Sequence, residues 1–164
     1  MTTYLYCSPE WLAESANRYP DTPRFQKELE NMSIKMGFRI KAEPAWGIDK
    51  DILFVVYLSR GNLEKLAFLP ADIVMQETDY VLAATPQEWK RLLRKDGKFV
   101  GDFMTGKIIL EKGSKVGVLS VAPHSGTLVD TLVQVDLQFQ DEMTPEQIGE
   151  FRNQLKEYRE RTGV

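Results

Sequence analysis

From Met36 onward, apolar and polar residues alternate: Met36, Phe38, Ile40 and Ala42 are interleaved with Gly37, Arg39, Lys41 and Glu43. A period of two is that of an extended chain with one wet face, so this segment predicts a strand. The next apolar segment breaks the alternation. In Ile52-Leu53-Phe54-Val55-Val56-Tyr57-Leu58 both alternating sets are apolar, which predicts a central strand covered on both faces. Ser59-Arg60-Gly61-Asn62 reads as a hairpin turn, with Leu63 to Leu69 as the partner strand. Ile73 to Gln76, Tyr80 to Ala84 and Ile108 to Glu111 read as further extended pieces.

Elsewhere the apolar spacing is three and four, the period of a helix. Ser8-Pro9 is an N-cap followed by a ring-fixed first residue, and it opens a helix over 8–19 bearing Trp11 and Leu12. Asp21-Thr22-Pro23 opens a second, with Phe25, Leu29 and Met32 on one side. Thr85-Pro86 starts a third, with Trp89, Leu92 and Leu93 inward, ending at Gly97. Phe99 to Met104 predicts a short apolar helix. Lys115 to Val135 predicts two helical pieces broken at Pro123. Thr144 and Gln147 have capping-box spacing around Pro145 and open a helix over about 144–161 carrying Ile148, Phe151, Leu155 and Tyr158.

Helices, then a run of strands, then mostly helices joined by short connections predict an α+β fold with an antiparallel sheet. The 164 residues form one domain, 1–164, with no internal repeat or flexible linker.

Composition narrows the function classes. The hydrophobic fraction of 43% and charged fraction of 27% are those of a globular protein. A net charge of −3 argues against general nucleic-acid binding, which needs a basic face. No apolar run is long enough to span a bilayer as a helix. Cys7 is the sole cysteine, so neither an internal disulfide nor a cysteine-built metal site is expected. The first residues lack the pattern of a signal peptide, and a cytoplasmic location is expected.

One stretch carries more. Phe103-Met104-Thr105-Gly106-Lys107-Ile108-Ile109-Leu110-Glu111-Lys112-Gly113 reads as a helix end, a glycine break, a short strand and a second glycine break. It resembles the core of the sterol carrier protein 2 family. The likeness extends over about 23–135. Asp72-Ile73-Val74-Met75 and Asp79-Tyr80-Val81-Leu82 look like that family's strand in which an aspartate leads an apolar run. Thr85-Pro86-Gln87-Glu88-Trp89 looks like the start of its mid-domain helix. The resemblance implies a sheet of about five strands with helices on one side, an apolar cavity between the layers, and binding or transfer of lipids without covalent chemistry or a metal. No cofactor is then expected beyond a bound lipid or fatty acyl ligand.

On that reading the lipid-contacting residues are Phe54, Val56, Trp89, Leu92, Phe103, Met104, Ile108, Val118, Leu119, Leu128 and Leu132. Each also has a plainer reading as packed core. Lys90, Arg91, Arg94 and Lys95 surround the helix after Thr85, either as contacts to anionic headgroups during transient membrane docking or as a solvated face whose stems cover the core. His124, the only histidine, stands in a helix break with no nucleophile elbow in the sequence. Asp72, Glu77 and Asp79 suit turns and strand ends. The leading expectation is a carrier for a sterol-, acyl- or isoprenoid-like ligand. Its rivals are an interaction module that forms a homodimer, for which the stripe ending in Tyr158 is a candidate face, and an enzyme handling acyl thioesters.

Overall fold

The computed structural model describes residues 2–164. Seven strands and eight helices follow one another along them. The first strand, β1 (Thr3–Leu5), leads into helix α1 (Pro9–Arg18) and α2 (Pro23–Glu28). Next come β2 (Ile34–Ile40), β3 (Ile52–Ser59), β4 (Asn62–Leu69), α3 (Ala71–Glu77) and β5 (Tyr80–Ala84). The chain continues through α4 (Pro86–Leu93), α5 (Phe99–Met104), β6 (Ile109–Lys112), α6 (Lys115–Val121) and α7 (Ser125–Leu132). It closes with β7 (Asp136–Gln138) and the long helix α8 (Pro145–Thr162).

Five strands form the main sheet in the order β4-β3-β2-β5-β6. It is mixed, which corrects the antiparallel expectation: β2 and β5 run parallel, and every other neighbouring pair is antiparallel. The cause lies in the segment read as a strand at Ile73 to Gln76, which is helical (α3). After β4 the chain stands at one edge of the sheet. To add β5 beside β2 it must cross the sheet, and α3 makes that crossing over the face opposite the other helices. There Val74 packs with Leu53, Val55, Tyr57 and Val81. That explains why β3 is apolar on both sides. Its alternate residues Ile52, Phe54, Val56 and Leu58 belong to the main core instead. Helices therefore cover both faces, and β3 is second in the sheet, with β2 at its centre.

Gly37 on β2 lets the crossing helix approach. A Cβ there would lie 2.5 Å from Val74 Cγ1, closer than packed carbons come. The register also aligns one residue from each strand into a row across the sheet: Phe68, Phe54, Phe38, Leu82 and Leu110. Phe38 and Phe54 stack with centroids 5.0 Å apart, and Phe68 meets Phe54 edge-on. Such cross-strand pairs are the units of sheet stabilisation.

A second, two-stranded sheet pairs β1 with β7 in parallel and ties the N-terminal segment to the C-terminal part of the chain. At three residues apiece, these strands are too short to leave a periodic signature. The capping signals fare better. Ser8, Thr85, Ser114 and Thr144 each accept a backbone N–H in the first turn of their helix, and Thr144 and Gln147 form a reciprocal box.

The β3–β4 hairpin turns on Arg60 and Gly61, both at positive φ (49° and 79°), the geometry whose twist suits a two-residue hairpin. The turn is then clamped: Tyr19 Oη donates to the Gly61 carbonyl at 2.6 Å, and the Arg60 N–H donates to Ser33 Oγ. At Gly61 a Cβ would also strike the Gln26 carbonyl. Gly61→Ala is therefore expected to destabilise the protein by about 1–3 kcal/mol, through backbone strain plus the clash. Urea denaturation of the two proteins measures it.

Candidate functional site

Between the sheet and the main helical layer lies a hollow of about 70 Å³. Its floor is the aromatic row of the sheet, Phe38, Phe54 and Leu82, together with Met36. Its walls are Trp11 of α1, Trp89, Leu92 and Leu93 of α4, Phe99 of α5 and Val121 at the end of α6. Leu128, Val129 and Leu132 of α7 close one side, and Tyr6 lies at the β1–α1 junction. One water needs about 10–15 Å³ in this kind of measure, so the hollow admits roughly five carbon-sized groups as it stands.

The lining is almost wholly apolar, and its few polar groups divide sharply. Trp11 Nε1 donates to the Leu132 carbonyl at 2.8 Å, and Trp89 Nε1 donates to the Arg39 carbonyl at 3.0 Å. Ser125 Oγ donates to the Ala122 carbonyl. The Tyr6 hydroxyl is instead buried beside the Cys7 thiol, a weak partner at best.

The hollow adjoins a groove at the surface. Leu92, Phe99, Ser125 and Val129 also line an open groove of about 490 Å³, bordered by Lys95, Lys98, Val100 and Asp130. The groove runs between α7 and the α4–α5 loop. Across it, Asp130 of α7 accepts from Lys95 at 2.6 Å and from Arg24 of α2 at 2.9 Å. Burial works against the Asp130 carboxylate, but the hydrogen bonds from Lys95 and Arg24 outweigh it and hold this carboxyl below its ordinary range. Thr127 of the same helix donates to Glu28 of α2. The wall formed by α7 is thus held to its neighbours by polar latches outside and by the Trp11 indole within.

Of the residues named from sequence as lipid contacts, Phe54, Trp89, Leu92, Leu128 and Leu132 come together around the hollow. Val56, Phe103, Ile108 and Val118 are buried in the surrounding core and do not line it. Met104 and Leu119 are at the surface, 57% and 36% exposed. Tyr6, Trp11, Met36, Phe38, Leu82, Leu93, Phe99, Val121 and Val129 line the hollow without having been named. The alternation at Met36 and Phe38 was the signal available for two of them.

The four basic residues on and after α4 are all ion-paired. Lys90 pairs with Asp141, Arg91 with Glu88 and Asp102, Arg94 with Glu142, and Lys95 with Asp130. Lys90 and Arg94 also lie over the buried Phe139 ring. These contacts tie α4 to the segment after β7. His124 lies in the helix break between α6 and α7 and does not line the hollow. Asp79 Oδ2 accepts the Lys35 N–H where the parallel strands β2 and β5 begin. Cys7 is fully buried, and burial pushes its thiol pKa up. Among the described residues no cluster of three or more His, Cys, Asp or Glu side chains could hold a metal ion. None of their helices is long and apolar enough to cross a membrane.

The Asp130 latch has a testable pH dependence. A carboxyl held below its ordinary value favours the folded state at pH values above that value, and the benefit disappears as pH falls through the depressed one. Asp130→Asn is expected to lower stability by under about 1 kcal/mol at pH 7, because the latch is partly solvated. The deficit should begin to shrink as the pH falls below the ordinary aspartate value of 3.8 and vanish below the depressed one. Denaturant titrations of both proteins across the acid range measure it.

No protein-family model matches the sequence, and no curated protein matches it. Solved structures do match the fold. A crystal structure of sterol carrier protein 2 superposes with a TM-score of 0.68 at 18% identity, covering 78% of this chain and 97% of that one. The solution structure of a conserved protein from Thermus thermophilus, described as a candidate sterol carrier protein, gives 0.67 at 18% identity, covering 80% and 90%. Apo sterol carrier protein 2 from Yarrowia lipolytica gives 0.54 at 14% identity, covering 76% and 88%. The mixed five-stranded sheet, its helical cover and these superpositions together place the chain in the sterol carrier protein 2-like fold.

Proposed function

We propose that this protein is a lipid carrier that shelters the apolar part of a sterol-, acyl- or isoprenoid-like ligand in the hollow between sheet and helices. The supporting observation is the lining itself: fifteen residues from the sheet, five helices and the N-terminal segment converge on an apolar space that they leave unfilled. A well-packed core has few voids larger than a water molecule. About five buried methylenes gain roughly 4 kcal/mol relative to water. A bilayer offers nearly the same gain, so exchange between membrane and protein is close to neutral, as a carrier requires. A longer chain continues from the hollow into the groove between α7 and the α4–α5 loop.

A second observation bears on where the ligand is collected. Val100 and Met104 are 45% and 57% exposed and lie four residues apart, on one face of α5. Val100 also borders the groove. Exposed Lys98 and Lys107 flank the helix, whereas the α4 cations are already engaged with carboxylates. We propose anionic lipid surfaces as the partner of this face, with the two apolar side chains inserted and the lysines at headgroup level.

Two experiments test the reading. Native mass spectrometry of protein purified from cells, followed by solvent extraction, is expected to show a co-purified lipid mass. A protein-only mass that dimerises with concentration would favour an interaction module instead. For the docking face, sedimentation with vesicles containing phosphatidylserine is expected to show binding that falls about tenfold in the Val100→Asp, Met104→Asp double variant and weakens with added salt. Equal binding of both proteins would remove α5 from the contact.

A further inference from the structure

Helix α4 ends in a Schellman turn: the Lys95 N–H donates to the Leu92 carbonyl at 3.0 Å, and the Asp96 N–H donates to the Arg91 carbonyl at 2.8 Å. Such a turn needs a left-handed residue just past the helix, and that residue is usually glycine. Here it is Lys95, at φ 63°. A side chain in that conformation costs free energy that glycine would not. The ion pair that this side chain makes with Asp130 does little to offset the cost in stability, because exposed pairs contribute little.

What sets the pair apart is its position. Lys95 and Asp130 both line the groove between α7 and the α4–α5 loop, and their 2.6 Å contact spans it. Leu92, Phe99, Ser125 and Val129 line the groove and the hollow alike, so they form the partition between the two. The two sides of α7 are also fastened unequally. Toward α1 and α2, the helix is held by the Trp11 indole on the Leu132 carbonyl, by Arg24 on Asp130 and by Thr127 on Glu28. Toward α4, α5 and the loop between them, Lys95–Asp130 is the sole ion pair or hydrogen bond among the described residues. The seam that separates with the fewest polar contacts broken is therefore the one that leads to the hollow.

We propose that the seam between α7 and the α4–α5 loop is the gate through which the ligand enters and leaves, and that the Lys95–Asp130 pair is the latch that holds it shut. The inference rests on the carrier reading and adds to it the route and the residue that sets the rate. Lys95 is a positioning residue: it does not line the hollow, and it acts on the barrier to opening. A contact broken on opening and remade on closing alters uptake and release by the same factor. It leaves the affinity unchanged.

The test follows uptake and release of two probes, cis-parinaric acid (a fluorescent fatty acid) and dehydroergosterol (a fluorescent sterol). Release into excess phosphatidylcholine vesicles is read in a stopped-flow instrument as loss of energy transfer from Trp11 and Trp89, both of which line the hollow. Lys95→Gly removes the latch and places at the turn the residue it prefers. For whichever probe binds, this variant is expected to speed uptake and release each about threefold, with Kd unchanged. Its urea midpoint should equal or exceed that of wild type. Lys95→Arg keeps both the strained backbone and the cation, and should exchange at the wild-type rate. Unchanged rates in Lys95→Gly would overturn the latch and leave the carrier reading standing. So would a lowered urea midpoint in that variant, which would make the pair a support of the fold, or accelerated exchange in Lys95→Arg. Failure of wild type to take up either probe would overturn the latch and the carrier reading together.

Discussion

Two indole hydrogen bonds set the spacing on which the site depends. Trp11 reaches from α1 to the last carbonyl of α7, 121 residues away in sequence, and Trp89 reaches from α4 to the Arg39 carbonyl on β2. Each bond fixes a large ring edgewise between layers and satisfies a donor that would otherwise be stranded in an apolar interior. Collapse of either wall would break one of these bonds. Arg39 is itself held on both sides by Asp51 and Glu111, so the strand that receives the Trp89 bond is braced from its outer face. Large rings held apart leave a gap that smaller side chains do not fill.

The sheet contributes by its topology. Because α3 crosses the far face, the near face stays free of a covering hairpin, and the row Phe68, Phe54, Phe38, Leu82 and Leu110 runs across all five strands. The crossing needs Gly37 beneath Val74, and it needs β3 to be apolar on both sides. A single constraint therefore links the parallel β2–β5 pair, a glycine with no free space, and a doubly apolar strand.

Much of this architecture was legible before any coordinates. The capping residues Ser8, Thr85 and Thr144 marked helix starts, the Arg60-Gly61 pair marked a hairpin, and Pro123 marked a helix break, because each acts through local backbone geometry. Ile73-Val74-Met75 misled: β-branched residues in a helix of two turns show no clear period, and tertiary packing on β3 decided the outcome. The strands at Thr3–Leu5 and Asp136–Gln138 depend on partners more than a hundred residues away and carry no local mark. Residues around the hollow were harder still. Apolar character distinguishes core from surface, but it does not say which core residues face a void. Phe54 and Val56 are alike in sequence pattern, and only Phe54 lines it. Tyr6 fell outside the stretches that resembled a known family.

The charged contacts on α7 have a different physical character from the indoles. Arg24 and Lys95, which grip Asp130, are 49% and 63% exposed. Mobile ions weaken such pairs, while an enclosed N–H to carbonyl bond is screened far less. The outer fastening of this helix therefore loosens with ionic strength and the inner one does not. The chamber keeps its inner shape in brine while the outer side of its α7 wall grows slack.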